Sequence, residues 1–447
     1  MKQKIQLSDH FTYGRLIHFT LPTIGMMICV SIYSVVDGFF VSNFAGKGPF
    51  TAINLIFPLL CILSTVGFMF GTGGSAVVAK TLGEGDKERA NEYFSLFVYT
   101  TAILGVVFAA LGFAFVQPIA VGMGAEGAIL EDAVLYARII LLALPLNVLQ
   151  YLFSSFVVTA EKPKLGLMVT VLSGITNVVL DLLLVMGLPQ EYKLAGAAIA
   201  TAASQSVGGL VPLVYFVRKN DSILRLGRTR FHRWAIFKAC TNGSSEFMSS
   251  IAMSLVGMLY NLQLLHYAGN DGVAAYGVMM YVSMIFSGAF VGYSVGTAPI
   301  IGFHDGAGNH TELKSLLRKS LVMLGGFGVA MLLSGVLLSA PLSRLFVGYD
   351  QGLLELTVSG FRVFAVSFLF MGYAIFGSGF FTALNDGVTS AIISFLRAVV
   401  FQVGAVMLLP LRWGIDGVWV SVVVAEAMAV VLCAIFLFLK RKKYHYL

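Results

Sequence analysis

The sequence predicts an all-α membrane protein with 12 transmembrane helices in two pseudo-symmetric six-helix bundles. Three observations carry this expectation: the composition, the spacing of the apolar runs and an internal repeat. Of the 447 residues, 58% are hydrophobic and only 11% charged, whereas a soluble domain carries about 25% charged residues. That composition leaves too few charges to cover a water-soluble globule, and lipid does not demand a polar exterior. The 48 glycines suit the same solvent, because small residues let membrane helices approach closely.

Apolar runs near 15–44, 50–76, 93–117, 131–156, 165–187 and 194–217 are each long enough to cross a hydrocarbon core, which takes about 20 helical residues. A polar, basic segment at 218–234 follows, and then six more runs near 235–265, 272–299, 316–339, 355–381, 388–410 and 416–439. The N-terminus is polar for about a dozen residues and the first run exceeds the h-region of a cleavable signal peptide, so it reads as span 1. The connecting loops are short and leave no sizeable soluble domain.

Twelve spans put both termini on one side, and the basic residues indicate which. The tails and even-numbered loops hold 22 Lys and Arg, including Lys2, Lys4, the seven from Arg218 to Lys238, and the four from Lys440 to Lys443. The odd-numbered loops hold four: Lys47, Lys193, Arg344 and Arg412. This bias predicts cytoplasmic termini in a multi-pass plasma-membrane protein. The net charge of +7 is therefore topological, and nucleic acid is not an expected partner.

Shifting the first half by 223 residues aligns "GTGGSAVVAKTLGEGD" (71–86) with "SVGTAPIIGFHDGAGN" (294–309), superposing Gly73 on Gly296 and Gly83 on Gly306. "FAGKGPFTA" (44–52) meets "YAGNDGVAA" (267–275), and a shift of 221 places Gln205 on Glu426. The expected units are residues 1–221 and 222–447. Six spans per unit is an even number, so both units share one orientation, and such parallel repeats commonly hold a substrate site between them.

Ionisable groups inside the spans need a reason, because a carboxylate at mid-membrane costs about 2.5–3.5 kcal/mol on insertion scales. Asp37 and Thr201 lie roughly 10 Å, and Asp181 roughly 9 Å, below the outer boundary at about 1.5 Å per residue. Asn177 sits one turn before Asp181 on the same face. Two carboxylates, an amide and a hydroxyl at one depth suit a small hard cation such as Na⁺. They equally suit a proton, since desolvation and a like charge both favour the neutral acid. No other metal and no cofactor is expected. In the second half Glu246, Arg397 and Glu426 share a depth near mid-membrane and form either part of a substrate cavity or a structural charge cluster. Arg138 and Arg362 lie near the outer boundary and are expected to snorkel.

Other motifs are weaker. "GTGG" (71–74) lacks the preceding strand and following GK[ST] of a phosphate loop and reads as helix packing. Gly288, Gly292 and Gly296 repeat every four residues as a close-packing face. His304 and His310 read as loop histidines. Cys29, Cys61, Cys240 and Cys433 lie in apolar runs without metal or disulfide spacing, and no nucleophile–base constellation is present, so an enzyme is not expected.

Taken together, "LPTIGMMICVSIYSVVDGFFVS" in span 1, "GGSAVVAKTLGEGDKERA" after span 2, "TNVVLDLLLVMGL" and "LAGAAIATAAS" in spans 5 and 6, "GTAPIIGFHDGAGN" in span 8 and "AEA" around Glu426 resemble the multidrug and toxic compound extrusion (MATE) family, in its bacterial DinF/MepA-like branch. The resemblance covers nearly the whole chain. It implies a V-shaped pair of bundles, alternating access, and export of amphipathic, usually cationic compounds in exchange for H⁺ or Na⁺. It places Asp37, Asn177, Asp181 and Thr201 at the family's ion site and Pro22 at the bend of span 1. Glu426 matches a span 12 glutamate of the branch. Another branch carries an Asp in span 10 that this sequence lacks, which argues against a second coupling site. The expected partners are a small amphipathic substrate and the bilayer, with the chain a monomer. The alternative is a flippase for a lipid-linked precursor.

Overall fold

The structure is a computed structural model that describes residues 5–348 and 350–446, apart from the side chains of Phe39, Ser42, Asn43, Lys47 and Leu345. Lys2 and Lys4 of the charge count lie outside the described residues, as does the side chain of Lys47. Every regular element among those described is helical. That is what lipid requires, because a spanning segment has to satisfy its own backbone polar groups.

The first six spans are α1 (Tyr13–Phe40), α2 (Lys47–Gly83), α3 (Lys87–Gly122), α4 (Gly127–Thr159), α5 (Pro163–Leu180) and α6 (Lys193–Val217). A single 74-residue helical run, Arg233–Gly306, breaks at Gly269, whose φ of 61° and ψ of −150° are open to glycine alone. Tyr260 and Tyr276 stack face to face at 5.2 Å across this break, so the chain folds back on itself there. The two arms are α7 (233–268) and α8 (270–306). They are followed by α9 (His310–Val347) and by α10, bent by 47° between Gln351–Ala365 and Phe368–Ala383. Next come α11 (Gly387–Phe395, running on to Leu408) and α12 (Pro410–Tyr444). Ten helical runs are long and apolar enough to cross a membrane; the fold-back at Gly269 and the bent pair each add one, giving the twelve expected. Large apolar side chains face outward around the bundle, among them Leu142 at 73% and Leu337 at 75% exposure, as lipid permits.

Helices that start on the face bearing both termini are capped by short polar side chains. Thr12 accepts from the Arg15 N–H, Asp86 from Arg89, Asn309 from Glu312 and Asp386 from Thr389, while Pro163 opens α5. Each cap satisfies an N–H that the first helical turn leaves without a partner. Asp86 and Asn309 are related by the 223-residue offset of the repeat.

On that same face the two halves of the chain meet backbone to backbone. A Cβ on Gly83 would lie 2.0 Å from the Phe303 carbonyl oxygen, and one on Gly306 would lie 2.1 Å from that of Lys80. These two contacts of α2 with α8 exchange under the 223-residue offset. Gly73 approaches Ala239 of α7 in the same way, at 2.1 Å, and Gly292 of α8 lies against Thr23 and Ile24 of α1. The glycines of "GTGG" and of the 288–296 stripe thus serve packing, as the sequence predicts. Lys80 closes the seam with an ion pair to Asp305 at 2.9 Å. Asn385 adds two bonds, accepting from Asn242 at 2.6 Å and donating to the Ala76 carbonyl at 3.1 Å.

Both histidines expected in loops lie in helices, and His310 opens α9. His304 is not in a loop; it sits in the last turn of α8, 2% exposed, because α8 continues past the apolar run to Gly306.

The seam predicts a measurable cost. Gly73→Leu forces a side chain into the α7 backbone and is expected to lower stability by about 1–3 kcal/mol or more. Gly326→Leu, where nothing lies within 4 Å of the added Cβ, serves as the control. Gly73→Leu should melt earlier in detergent and expose Cys240, one residue from the contact, to faster alkylation; melting and labelling equal to the control's would refute the packing account.

Candidate functional site

The sequence places four polar side chains at one depth, and the structure brings them together. Thr201 of α6 donates to Asp37 Oδ1 of α1 at 3.3 Å while also bonding the Ala197 carbonyl at 3.1 Å. Asn177 of α5 and Asp181, one turn further on, lie beside the Asp37 carboxylate. Asp181 is 0% and Asn177 1% exposed. Neither carboxylate oxygen of Asp181 has a donor, and the Asn177 carbonyl oxygen has none either. Thr201 therefore serves Asp37, and the Asp181 carboxylate is left without a donor beside it.

Local helix geometry aims these groups. α1 passes into a π-helical turn at Val41–Ala45 just after Asp37, and Asp181 opens a π-helical turn at Asp181–Val185. The wider turn disturbs the regular ladder at the point where each acid has to point inward, a common device at functional sites. α1 itself runs unbroken through Pro22, which is buried.

Several neighbours escaped the sequence reading, which weighed only charges and residues spaced from them. Tyr136 of α4 lies beside Thr201, and Tyr33 of α1 lies beside Gln150 of α4, near Asp37. Tyr33 lies one turn before Asp37, so its spacing was a usable signal; Tyr136 and Gln150 come from a helix with no carboxylate at this depth. Ser173 and Ser204 clamp α5 to α6 at 2.7–3.0 Å. Between the acids and the terminal face lies a cavity of about 50 Å³ among α1, α4, α5 and α6, lined by Met26, Tyr33, Gln150, Ser154 and Thr170 among others. It exceeds the space one water needs, and its lining is mostly apolar, with a few polar groups such as Gln150, Ser154 and Thr170. Tyr33 and Gln150 are common to the cavity and the polar shell of the acids.

The second half is built differently. Arg397, inside a third π-helical turn at Leu396–Phe401, makes a two-pronged bond to Glu426 of α12: Nε to Oε2 at 2.9 Å and Nη2 to Oε1 at 3.0 Å. Glu426 is 3% exposed, so this pair is a closed structural unit. Glu246 of α7 feels the Arg397 charge but makes no ion pair with it among the described residues. Of the three residues grouped by depth, two bond and one stands apart. The offset of 223 carries Asp37 onto Tyr260, and that of 221 carries Asp181 onto Gln402. The Tyr260 hydroxyl lies 3.0 Å from Gln402 Oε1 and 2.7 Å from Ser421 Oγ. The place of the acid pair is thus taken in the second half by a neutral hydrogen-bonded node. Arg138 is exposed, as expected, and its guanidinium lies 5.2 Å from the centre of the Phe113 ring; Arg362 is exposed too.

The closed pair is testable by a double-mutant cycle. Arg397→Met strands a buried Glu426 and should cost about 3–5 kcal/mol, whereas Arg397→Met with Glu426→Met should recover most of that loss. Thermal unfolding in detergent measures both; a double variant as unstable as the two single losses added would contradict the pairing.

The MatE family model matches twice, over residues 22–183 and 247–407. The chain is 25% identical to the multidrug export protein MepA of Staphylococcus aureus (strain MRSA252), over 96% of this chain and 94% of that protein. The Staphylococcus haemolyticus (strain JCSC1435) protein of the same name is also 25% identical, over 99% and 97%. Among solved structures, an outward-facing multidrug resistance MATE family transporter of the MOP superfamily superposes with a TM-score of 0.93 at 21% identity, covering all of both chains. A MOP superfamily transporter from Pyrococcus furiosus Vc1 superposes with a TM-score of 0.90 at 22% identity, over 100% of this chain and 99% of that one. Members of this family are membrane transporters, not enzymes. Two matches of the family model that together span most of the chain, on a fold shared end to end with solved members, make this chain a member of the MatE family of multidrug efflux transporters.

Proposed function

We propose that this transporter is an antiporter that exports amphipathic, cationic compounds in exchange for H⁺ or Na⁺ bound at Asp37 and Asp181. The observation that carries the reading is the unpartnered Asp181 carboxylate, fully buried beside Asp37. Two acids at that depth need something positive between them, and a proton or a small cation supplies it. Asn177 and Thr201 complete the oxygen shell. Multidrug export, for which the MepA relatives are named, fits the same cargo.

In this reading the face bearing both termini is cytoplasmic, as the Lys and Arg bias supports. The acids take up the ion from outside, the site loses its attraction for a cationic compound, and the compound leaves outward. α1 bends at Pro22 as the site reloads. A monocation exported for one ion moves no net charge and draws on the ion gradient alone; each further ion carries one charge through the potential, about 2.3 kcal/mol at 100 mV, worth a roughly fifty-fold gradient. Glu246, the second-half acid outside the Arg397–Glu426 pair, is the anchor for positive charge on the substrate. A flippase for a lipid-linked precursor draws no support, because Arg397, the mid-membrane cation, is neutralised by Glu426.

Transport of a cationic dye in proteoliposomes, with pH and Na⁺ gradients imposed separately, tests this. Asp37→Asn and Asp181→Asn should each abolish gradient-driven transport while the protein still folds. Thr201→Val, which removes a single hydroxyl ligand, should slow it about three- to ten-fold, the loss of about 1 kcal/mol. Full ion-driven transport in both Asn variants would remove the mechanism.

A further inference from the structure

Residues 5–12 precede α1, yet they run across the closed seam instead of away from it. Leu7 is 1% and Phe11 0% exposed, both packed into the main apolar core. The Leu7 N–H donates to Glu161 Oε1 at 2.8 Å, in the turn between α4 and α5. The Phe11 N–H donates to Glu312 Oε1 at 2.9 Å, and His10 Nδ1 lies 2.6 Å from Glu312 Oε2. Lys319 donates to the Phe11 carbonyl oxygen. Glu161 belongs to the first half of the chain, whereas Glu312 and Lys319 belong to α9 in the second. Glu312 is 5% exposed, so both of its oxygens are spent on this segment rather than on water.

We propose that residues 5–12 form a strap that holds the terminal face shut and has to release from α9 in every transport cycle. Alternating access requires that face to open, and opening parts α9 from the first half. The contacts divide into a side that stays and a side that breaks. Leu7 on Glu161, and Phe11 edge-on to Phe19 of α1 at 6.0 Å, travel with the first half. The bonds to Glu312 and Lys319 span the gap. Those bonds involve charged partners, which makes them about twice as strong as neutral ones. The strap therefore sets how readily the transporter leaves the state described here. It acts apart from the acid pair, so it stands on alternating access alone and not on the choice of coupling ion.

The test is a spin-label distance measurement on the full-length chain, with Cys29, Cys61, Cys240 and Cys433 replaced by Ala. Labels go at Glu84→Cys and Lys314→Cys, exposed positions on either side of the seam. Glu312→Gln keeps the size of the side chain and leaves the Asn309 cap of α9 in place. Glu312→Gln and, independently, Lys319→Met should each raise the open-to-closed ratio on this face about tenfold, as the loss of one or two charge-assisted bonds implies. Distance distributions unchanged in both variants would overturn the proposal. A second measurement uses the His10→Cys/Glu312→Cys protein. Joining the two thiols with a short cleavable linker should stop transport, and cleaving the linker should restore it. Linked protein that transports at the unlinked rate would equally refute the strap. The distance measurement needs neither an ion gradient nor a drug, so its outcome is separable from that of the coupling mechanism.

Discussion

Two carboxylates that meet at membrane depth with no donor between them are the constraint on which the rest of the molecule turns. Low dielectric screens them little, and the protein supplies a donor to Asp37 alone, from Thr201. Asp181 is left as a bare acceptor. Desolvation and a like charge favour the neutral acid or a bound cation here, and the proposed coupling makes use of that preference. The site is accordingly held by rigid parts: α5 and α6 are clamped by Ser173 and Ser204, and α4 contributes Tyr136 and Gln150 behind the acids.

The two halves resolve the same polar problem in opposite ways. In the first, Asp37 and Asp181 stand side by side, with the Asp181 carboxylate lacking a donor. In the second, the equivalent positions are the neutral node of Tyr260, Gln402 and Ser421, and the nearby charge of Arg397 is consumed by Glu426. A duplicated chain thus keeps one responsive half and one closed half. The glycine seam joining them keeps the symmetry that the polar sites have lost, since Gly83 and Gly306 still make reciprocal contacts.

The fold was largely legible in the sequence, because lipid leaves only helix as a backbone solution and each span announces itself by length. The repeat was legible through glycines, whose positions are fixed by backbone contact. The acid pair was legible because a charge in a span is rare enough to be read singly. What escaped has a physical reason in each case. Tyr136 and Gln150 are common residues whose role comes only from a neighbouring helix. The π-helical turns at Asp37, Asp181 and Arg397 depend on the packing around them and have no sequence signature. The separation of Glu246 from the Arg397–Glu426 pair depends on side-chain direction, which depth along a helix does not give. His304 was misplaced because α8 extends beyond its apolar run. The strap ahead of α1 has ordinary loop composition, and its value lies in partners about 150 and 300 residues away.

The account stands or falls on Asp37 and Asp181 acting as one ion-binding unit. Infrared difference spectroscopy of the reconstituted protein, with isotope-labelled aspartate, reads this directly. The Asp181 carboxyl bands, identified by subtracting the Asp181→Asn spectrum, should shift when Asp37 is replaced by Asn and when Na⁺ or pH is changed. Asp181 bands that stay the same with Asp37 present or absent would mean two separate acids, and would contradict the shared site.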